Sequence, residues 1–541
     1  MNYIRQTAKW ICALTLLLVA LLPQPAVLAA DSGEDLLTEV RELLTIYYVD
    51  ELRPDVLNAN SVESMISLLR DPDTEYLSND QYDRFIGSID NESATGMVGI
   101  VIEGTDSGLR VTDVLNGYSA YEQGVRPGDV VTAADGVRLA GMSTDESTAL
   151  LRGEPESQIR ITVQRGEETL EFTLTRKILS MPLAEGTLLD GHIGYVALSS
   201  FGMTLTEEFI WEARELRAAG ADCWILDLRG NTGGYTEEAL DLLGYFIGSQ
   251  TAMIMEDYQS SEAVPAVSQE TRFTEPMVLL TDNYSASSSE VVTGALRDYR
   301  RALLVGGNTY GSGKVKQIFR LSNGDYLKMT IYRFFSPQHG AIDQVGIAPQ
   351  LAVPGEEALN VGALLLNTHS AAASGGADGY IRVHTPAGLY TVSLDDLRTE
   401  NFWLAGRLIL ALEKDVALDR GTAAGWEYLP SGLHSHYLYY PGYRSAGILN
   451  NVLPDKVFTI SASLEVDWMT ATRERVELIN AQTGRRLPYT LAANSDGALE
   501  LRPGEPLTPG ADYWLVLHGL KDLAGRDIPP ELAVIRAAAD R

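Results

Sequence analysis

The sequence predicts a multidomain α/β plus β protein, and three patterns carry that prediction. Leu36, Leu37, Val40, Leu43 and Leu44 recur at helical spacing, and Val62, Met65, Ile66, Leu68 and Leu69 repeat the pattern. Residues 190–355 alternate apolar runs with amphipathic stretches, as strands joined by helical crossovers do. From 455 onward, short β-type runs return at near-regular intervals between turn residues, which fits a β-sandwich.

Composition narrows the function. The 541 residues leave room for roughly three or four domains. With 45% apolar and 21% charged residues, neither wholesale disorder nor a multi-span membrane protein fits. Lys and Arg number 42 against 73 Asp and Glu, a net charge of −31 that argues against nucleic acid as a partner.

Residues 1–30 read as a signal peptide. Arg5 and Lys9 precede an apolar run over 10–22, and Val27-Leu28-Ala29-Ala30 supplies a small-residue cleavage site. The run is short for a span of about 20 residues. An extracytoplasmic location, secreted or associated with the cell envelope, follows. Cys12 would leave with this leader, so Cys223 has no partner for an internal disulfide and reads as a buried apolar residue.

Residues 31–90 should form a helical N-terminal domain, in which Pro72 ends one helix and Ser78-Asn79-Asp80 caps another. Residues 91–178 change to short strands at 98–102, 109–111, 129–131, 159–163 and 170–174, with a helix over 144–151. Residues 179–365 form the α/β core, with strands at 193–198, 224–228 and 277–281 and helices at 206–218, 236–246 and 287–297. Residues 378–452 give mixed signals and receive no assignment. Residues 455–541 complete the sandwich.

Two segments of the core carry chemistry. Asp227-Leu228-Arg229-Gly230-Asn231-Thr232-Gly233-Gly234 follows a buried strand, and its glycines let backbone N–H groups converge on an oxyanion or a phosphate. A phosphate loop would want Gly-Lys-Ser/Thr, which is missing. Asn283-Tyr284-Ser285-Ala286-Ser287-Ser288-Ser289-Glu290 opens a helix, where the positive end of the dipole favours developing negative charge.

Together these segments resemble the carboxyl-terminal processing proteases, peptidases of the S41 family with an inserted PDZ domain. The likeness spans roughly 34–355. It includes Leu69-Arg70-Asp71-Pro72, Tyr76-Leu77-Ser78, the turn Gly124-Val125-Arg126-Pro127-Gly128-Asp129, Thr309-Tyr310-Gly311 and Val345-Gly346-Ile347-Ala348-Pro349. The resemblance implies a PDZ domain at 91–178 and a protease core at 179–365. It implies Ser287 as nucleophile and an oxyanion hole from the Ser288 N–H with Gly233 or Gly234.

It also implies a catalytic lysine at 312 and a supporting glutamine at 316. This chain has Ser312 and Lys316 instead, with no gap to shift the register. Two readings stay open. In one, Lys314 or Lys316 supplies a relocated base, Lys316 being preferred, with Ser312 passing the proton; a lysine base must be neutral, which burial promotes. In the other the protease site is inactive and the chain is a peptide-binding scaffold. None of the histidines rebuilds a Ser/His/Asp triad. His339 reads as a surface loop residue, and His434 with His436 lack a third metal ligand, so neither metal nor cofactor is expected.

A PDZ domain adds a peptide to a sheet edge and catches its terminal carboxylate in a backbone loop. By resemblance that loop is Met97, Val98, Gly99 and Ile100, favouring free C-termini with an apolar last residue. Val466-Asp467-Trp468-Met469-Thr470 and Leu507-Thr508-Pro509-Gly510-Ala511-Asp512-Tyr513 resemble bacterial Ig-like domains, which implies cell-surface contact through the sandwich.

Overall fold

The computed structural model describes residues 32–92, 95–178, 181–367, 377–412, 416–430, 435–461, 466–493 and 498–539. The expected leader at 1–30, with Cys12, and His434 lie outside them. Among the described residues no helix is long and apolar enough to cross a membrane.

The core is a six-stranded sheet in the order Leu351–Ala352, Leu303–Gly306, Met277–Thr281, Cys223–Asp227, Ile193–Leu198 and Ala184–Leu189. All neighbours run parallel except the last pair. Every residue of Cys223–Asp227 and Met277–Thr281 is buried, which explains the apolar runs over 223–226 and 277–280. Helices Leu205–Ala219, Thr236–Ile247 and Ser288–Asp298 cover one face around Phe209, Phe246 and Phe273. Helix Ala358–Asn367 covers the other. The loops that follow the two central strands, 228–235 and 282–287, meet where open α/β sheets place their ligands.

The 31–90 region contains the expected helices, at Ser32–Tyr47, Val62–Leu69 and Asn79–Ile89. Ser61 Oγ accepts the Ser64 N–H, and Ser78 with Gln81 forms a capping box, so each start is fixed by its own side chains. The region does not pack alone. Its strand Glu75–Leu77 pairs antiparallel with Tyr326–Phe335, and Val40, Leu44 and Met65 share a core with Leu321, Leu327 and Met329. This second sheet also holds Lys314–Arg320, Thr251–Glu256 and Ser261–Pro265.

Residues 96–177 enclose their own apolar core, including Val98, Leu109, Ile161 and Val163, under a sheet whose edge strand is Ile100–Thr105. Asp129, 1% exposed, accepts two hydrogen bonds from Arg165 and one from the Arg126 N–H.

The unassigned stretch is a four-stranded antiparallel sheet, built from the hairpins Tyr380–Thr385/Gly388–Ser393 and Ala417–Thr422/Gly425–Leu429 with helix Glu400–Ala411 between them. The sandwich then opens at Arg444–Val452, ahead of the expected 455, because this strand pairs parallel with Glu531–Ala537. All but Val452 of that strand is exposed, so no in-out alternation marks it in the sequence. Trp403 locks the two C-terminal parts together. It is fully buried, lies 4.3 Å from the Tyr439 ring and 5.2 Å from Trp514, and donates from Nε1 to the Ala481 carbonyl at 3.0 Å.

Trp403→Ala is expected to cost about 3–5 kcal/mol at this junction, read as a lower denaturant midpoint for the C-terminal transition; an unmoved midpoint would refute it. Burial alone would raise the Asp129 carboxyl, but hydrogen bonds from Arg165 and the Arg126 N–H outweigh it and hold it below its ordinary value. The stability this contributes is present above the unfolded carboxyl value, about 4, and is lost as pH falls through the lower folded value. Asp129→Asn should therefore flatten the acid limb of the unfolding profile of this domain.

Candidate active site

Ser287 sits on a sharp strand-to-helix turn with φ 54° and ψ −115°. That conformation costs a non-glycine residue about 1–3 kcal/mol, and the surroundings must over-determine it. They do so with two anchors. Asp282 Oδ1 accepts N–H groups from Gly230, Tyr284 and Ser285 at 3.0–3.1 Å, stitching the two loops together. Ser285 Oγ donates to the Leu228 carbonyl at 2.7 Å.

The second anchor is Glu290, fully buried in the first turn of the helix. Its Oε2 accepts the Ser287 N–H at 3.0 Å and the Ser312 N–H at 2.7 Å. Its Oε1 accepts Thr309 Oγ1 at 2.6 Å and the Gly311 N–H at 2.7 Å. Burial pushes this carboxyl up, against the pull of those four donors. One oxygen thus ties positions 287 and 312 together across the cleft.

The oxyanion candidates divide. A Cβ on Gly233, whose φ is +100°, would lie 2.8 Å from both the Ala286 carbonyl oxygen and Ser287 Cβ, so only glycine fits against the Ser287 turn. The Gly233 N–H, however, is donated to Asn231 Oδ1 at 2.9 Å, which removes it from the expected pair of donors. The Ser288 and Gly234 N–H groups have no acceptor among the described residues. The Ser288 hydroxyl donates to the Gly234 carbonyl at 2.9 Å and holds the two donors side by side.

The lysines also part company. Lys314, one of the two candidate bases, is bound by Asp71 and Asp73, each at 2.9 Å. Burial on its own would favour the neutral amine, but these carboxylates win and hold Lys314 well above the ordinary lysine value. The register shift at Val315/Lys316 leaves Ile331 of the partner strand over, so Lys314 and Lys316, two residues apart, keep to one face of their own strand. Lys316 Nζ stands 3.4 Å from Ser312 Oγ and 3.4 Å from Asp73 Oδ1. Lys316 therefore stands beside Ser312, whose N–H shares Glu290 Oε2 with the Ser287 N–H, while Lys314 is held by the helical region. Sequence reasoning gave no role to Glu290, Asn231, Asp71 or Asp73, although Asp71 stood within a quoted motif.

A cavity of about 700 Å³ adjoins the glycine loop, with Tyr195, Ser199, Asp227, Arg229, Gly230 and Asp282 in its wall. Asp227 is buried and accepts Tyr195 OH at 2.9 Å and Arg229 Nη2 at 2.5 Å. Burial and the Asp227 charge push the Tyr195 phenol up to about 12, so it stays a donor.

Of the expected peptide loop, Met97 exchanges backbone hydrogen bonds with Lys177 at 2.8 Å in both directions, and Val98 is buried in the domain core. Gly99 has φ +82° and a Cβ there would overlap Tyr118. Ile100 begins the edge strand, as an augmentation site requires. At the far end of that strand Gly104 touches Thr144, the first residue of helix Thr144–Leu151, which narrows the groove there.

His339 is 52% exposed and pairs with Glu256, a surface position as expected. Among the described residues, His192, Asp222 and Cys223 place ligand atoms within 4.8 Å of one another. Cys223 is fully buried, and burial with Asp222 raises its thiol far above the ordinary value, the state of an inert structural cysteine.

Comparison with known proteins bears on this geometry. The model of Peptidase family S41 matches residues 192–353, and that of the PDZ domain matches 110–165, which stops short of the 97–100 loop. The Carboxyl-terminal-processing protease of Synechocystis sp. is 30% identical over 371 residues, 64% of this chain and 87% of that protein. Carboxy-terminal processing protease CtpA of Bacillus subtilis is 27% identical over 350 residues, 64% of this chain and 75% of that one. The solved structure of the photosystem II D1 C-terminal processing protease aligns with a TM-score of 0.39 at 24% identity, covering 60% of this chain and 94% of that one. Identity of 30% sustained over 87% of the Synechocystis relative, together with the PDZ and S41 matches on this chain, shows that the chain belongs to the carboxyl-terminal-processing proteases of peptidase family S41.

Proposed function

We propose that the chain is an exported serine endopeptidase that engages substrate C-termini through its PDZ domain and cleaves with Ser287, using Lys316 as base and Ser312 as relay. The observation that carries this reading is the Lys316 amine 3.4 Å from the Ser312 hydroxyl, on a residue whose N–H shares Glu290 Oε2 with Ser287. Lys314 is excluded as base because its two carboxylates hold it charged.

In the first step Ser287 Oγ attacks the scissile carbonyl. Its proton passes to Ser312 Oγ as the Ser312 proton moves to the Lys316 amine. The Ser288 and Gly234 N–H groups receive the negative charge that forms on the carbonyl oxygen, at the positive end of helix Ser288–Asp298. Return of the proton along the same path to the leaving amine breaks the C–N bond. Water then repeats the sequence on the acyl-enzyme, restoring Ser287. The C-terminal sandwich serves as a cell-surface module outside this chemistry.

Wild type should cleave unstructured polypeptides, and Ser287→Ala should remove cleavage without moving the unfolding midpoint. Lys316→Met and Ser312→Ala should each lower kcat by about 10²–10⁴ with KM little changed. If wild type is inert and Ser312→Lys alone cleaves, the natural protein is the peptide-binding scaffold. Gly233→Ala should abolish activity in a folded chain, since the added methyl displaces the Ser287 turn; retained activity would show that the loop does not contact the nucleophile.

A further inference from the structure

We propose that Asp73 is a positioning residue that latches the Lys316 amine, so that the 71–75 segment of the helical region governs when that amine serves Ser312. This rests on the assignment of Lys316 as base. The amine stands at the same distance, 3.4 Å, from the Asp73 carboxylate and from the Ser312 hydroxyl. A carboxylate partner favours the ammonium, whereas the relay needs the free amine. The two contacts therefore compete for one group.

The segment that carries Asp73 is built to hold its place. Asp71 accepts the Asp73 N–H at 3.2 Å and Thr74 Oγ1 at 2.7 Å, which closes a tight turn. Lys314 bridges Asp71 and Asp73 and pins that turn to the strand bearing Lys316. Immediately afterwards Glu75–Leu77 pairs with Tyr326–Phe335, and the Tyr82 ring stacks on Tyr326 at 3.7 Å. Beyond Tyr82 the same body reaches the other side of the site, where Asp90 Oδ1 accepts the Met203 N–H at 2.8 Å and Asp90 Oδ2 accepts Tyr235 OH at 3.5 Å, next to the oxyanion loop. A shift of the helical region thus moves the latch and the loop together.

Each element packed against the 71–75 turn and the strand of Lys316 carries charged or titratable groups. The 71–75 segment supplies Asp71, Asp73 and Glu75, with Tyr48 and Asp50 from the helix and loop behind it. Strand Tyr326–Phe335 supplies Lys328, paired with Glu75, and Arg333, paired with Asp50. The strand of Lys316 itself supplies Lys314. Asp73 is the carboxylate in contact with both lysines.

The test is the pH dependence of kcat/KM for cleavage of an unstructured polypeptide. Asp73→Asn should move the acid limb to lower pH by about one unit, because the amine frees its proton more readily without the facing charge. Asp73→Ser, smaller and uncharged, should show the same displacement and guards against a fold defect in the first variant. Asp73→Glu should retain the wild-type limb, and Asp71→Asn, which removes a charge that contacts Lys314 and not Lys316 while keeping an oxygen for the turn, should leave its position unmoved. A limb that stays in place in folded Asp73→Asn and Asp73→Ser overturns the latch. If Lys316→Met cleaves as well as wild type, the base assignment fails; if Lys316→Met is inactive while the Asp73 variants keep the wild-type limb, the latch fails alone.

Discussion

The carboxylate of Glu290 is the constraint from which the catalytic cleft takes its shape. It is fully buried and binds four donors from three chain segments: the nucleophile turn, Thr309, and the 311–312 approach to the lysine strand. A buried charge without such partners would cost several kcal/mol, so the donors and the carboxylate sustain one another. Because Oε2 is shared by the N–H groups of Ser287 and Ser312, their separation does not depend on any side chain of the reacting set. That leaves residues 312 and 316 open to chemical variation without loss of the frame.

At those positions this chain carries Ser312 and, four residues on, Lys316 in the strand Lys314–Arg320. The intervening lysine is neutralised by two carboxylates of the helical region, so of two neighbouring cations only one remains near the reacting hydroxyls. Lys314 and Lys316 lie two residues apart on one strand, so both reach the same acidic turn.

Much of this was legible in the chain and some was not, for definable reasons. The strands at Ile193–Leu198 and Met277–Thr281 and the helix at Thr144–Leu151 lie where periodicity puts them, because each buries a clear face or is buried throughout. The loops around Gly233 and Ser287 were readable from small residues at strand ends. The acidic turn at Asp71 and Asp73 was not read as part of the site, since its partners lie more than two hundred residues away and nothing local signals them. The Gly233 N–H was taken as a free donor because a side-chain acceptor two residues back, Asn231, cannot be foreseen from spacing. The sheet over 380–429 escaped notice because Arg382, His384 and Asp419 occupy its outward face and break the apolar runs.

The parallel pairing of Arg444–Val452 with Glu531–Ala537 has a consequence for biosynthesis. The terminal strand lies between Arg444–Val452 and Asp512–Leu517, so it is an interior member of its sheet. During translation the sandwich therefore has a gap at its centre until residues 531–537 have left the ribosome, and a chain cut short of residue 531 would present two orphaned sheet edges to the quality-control machinery.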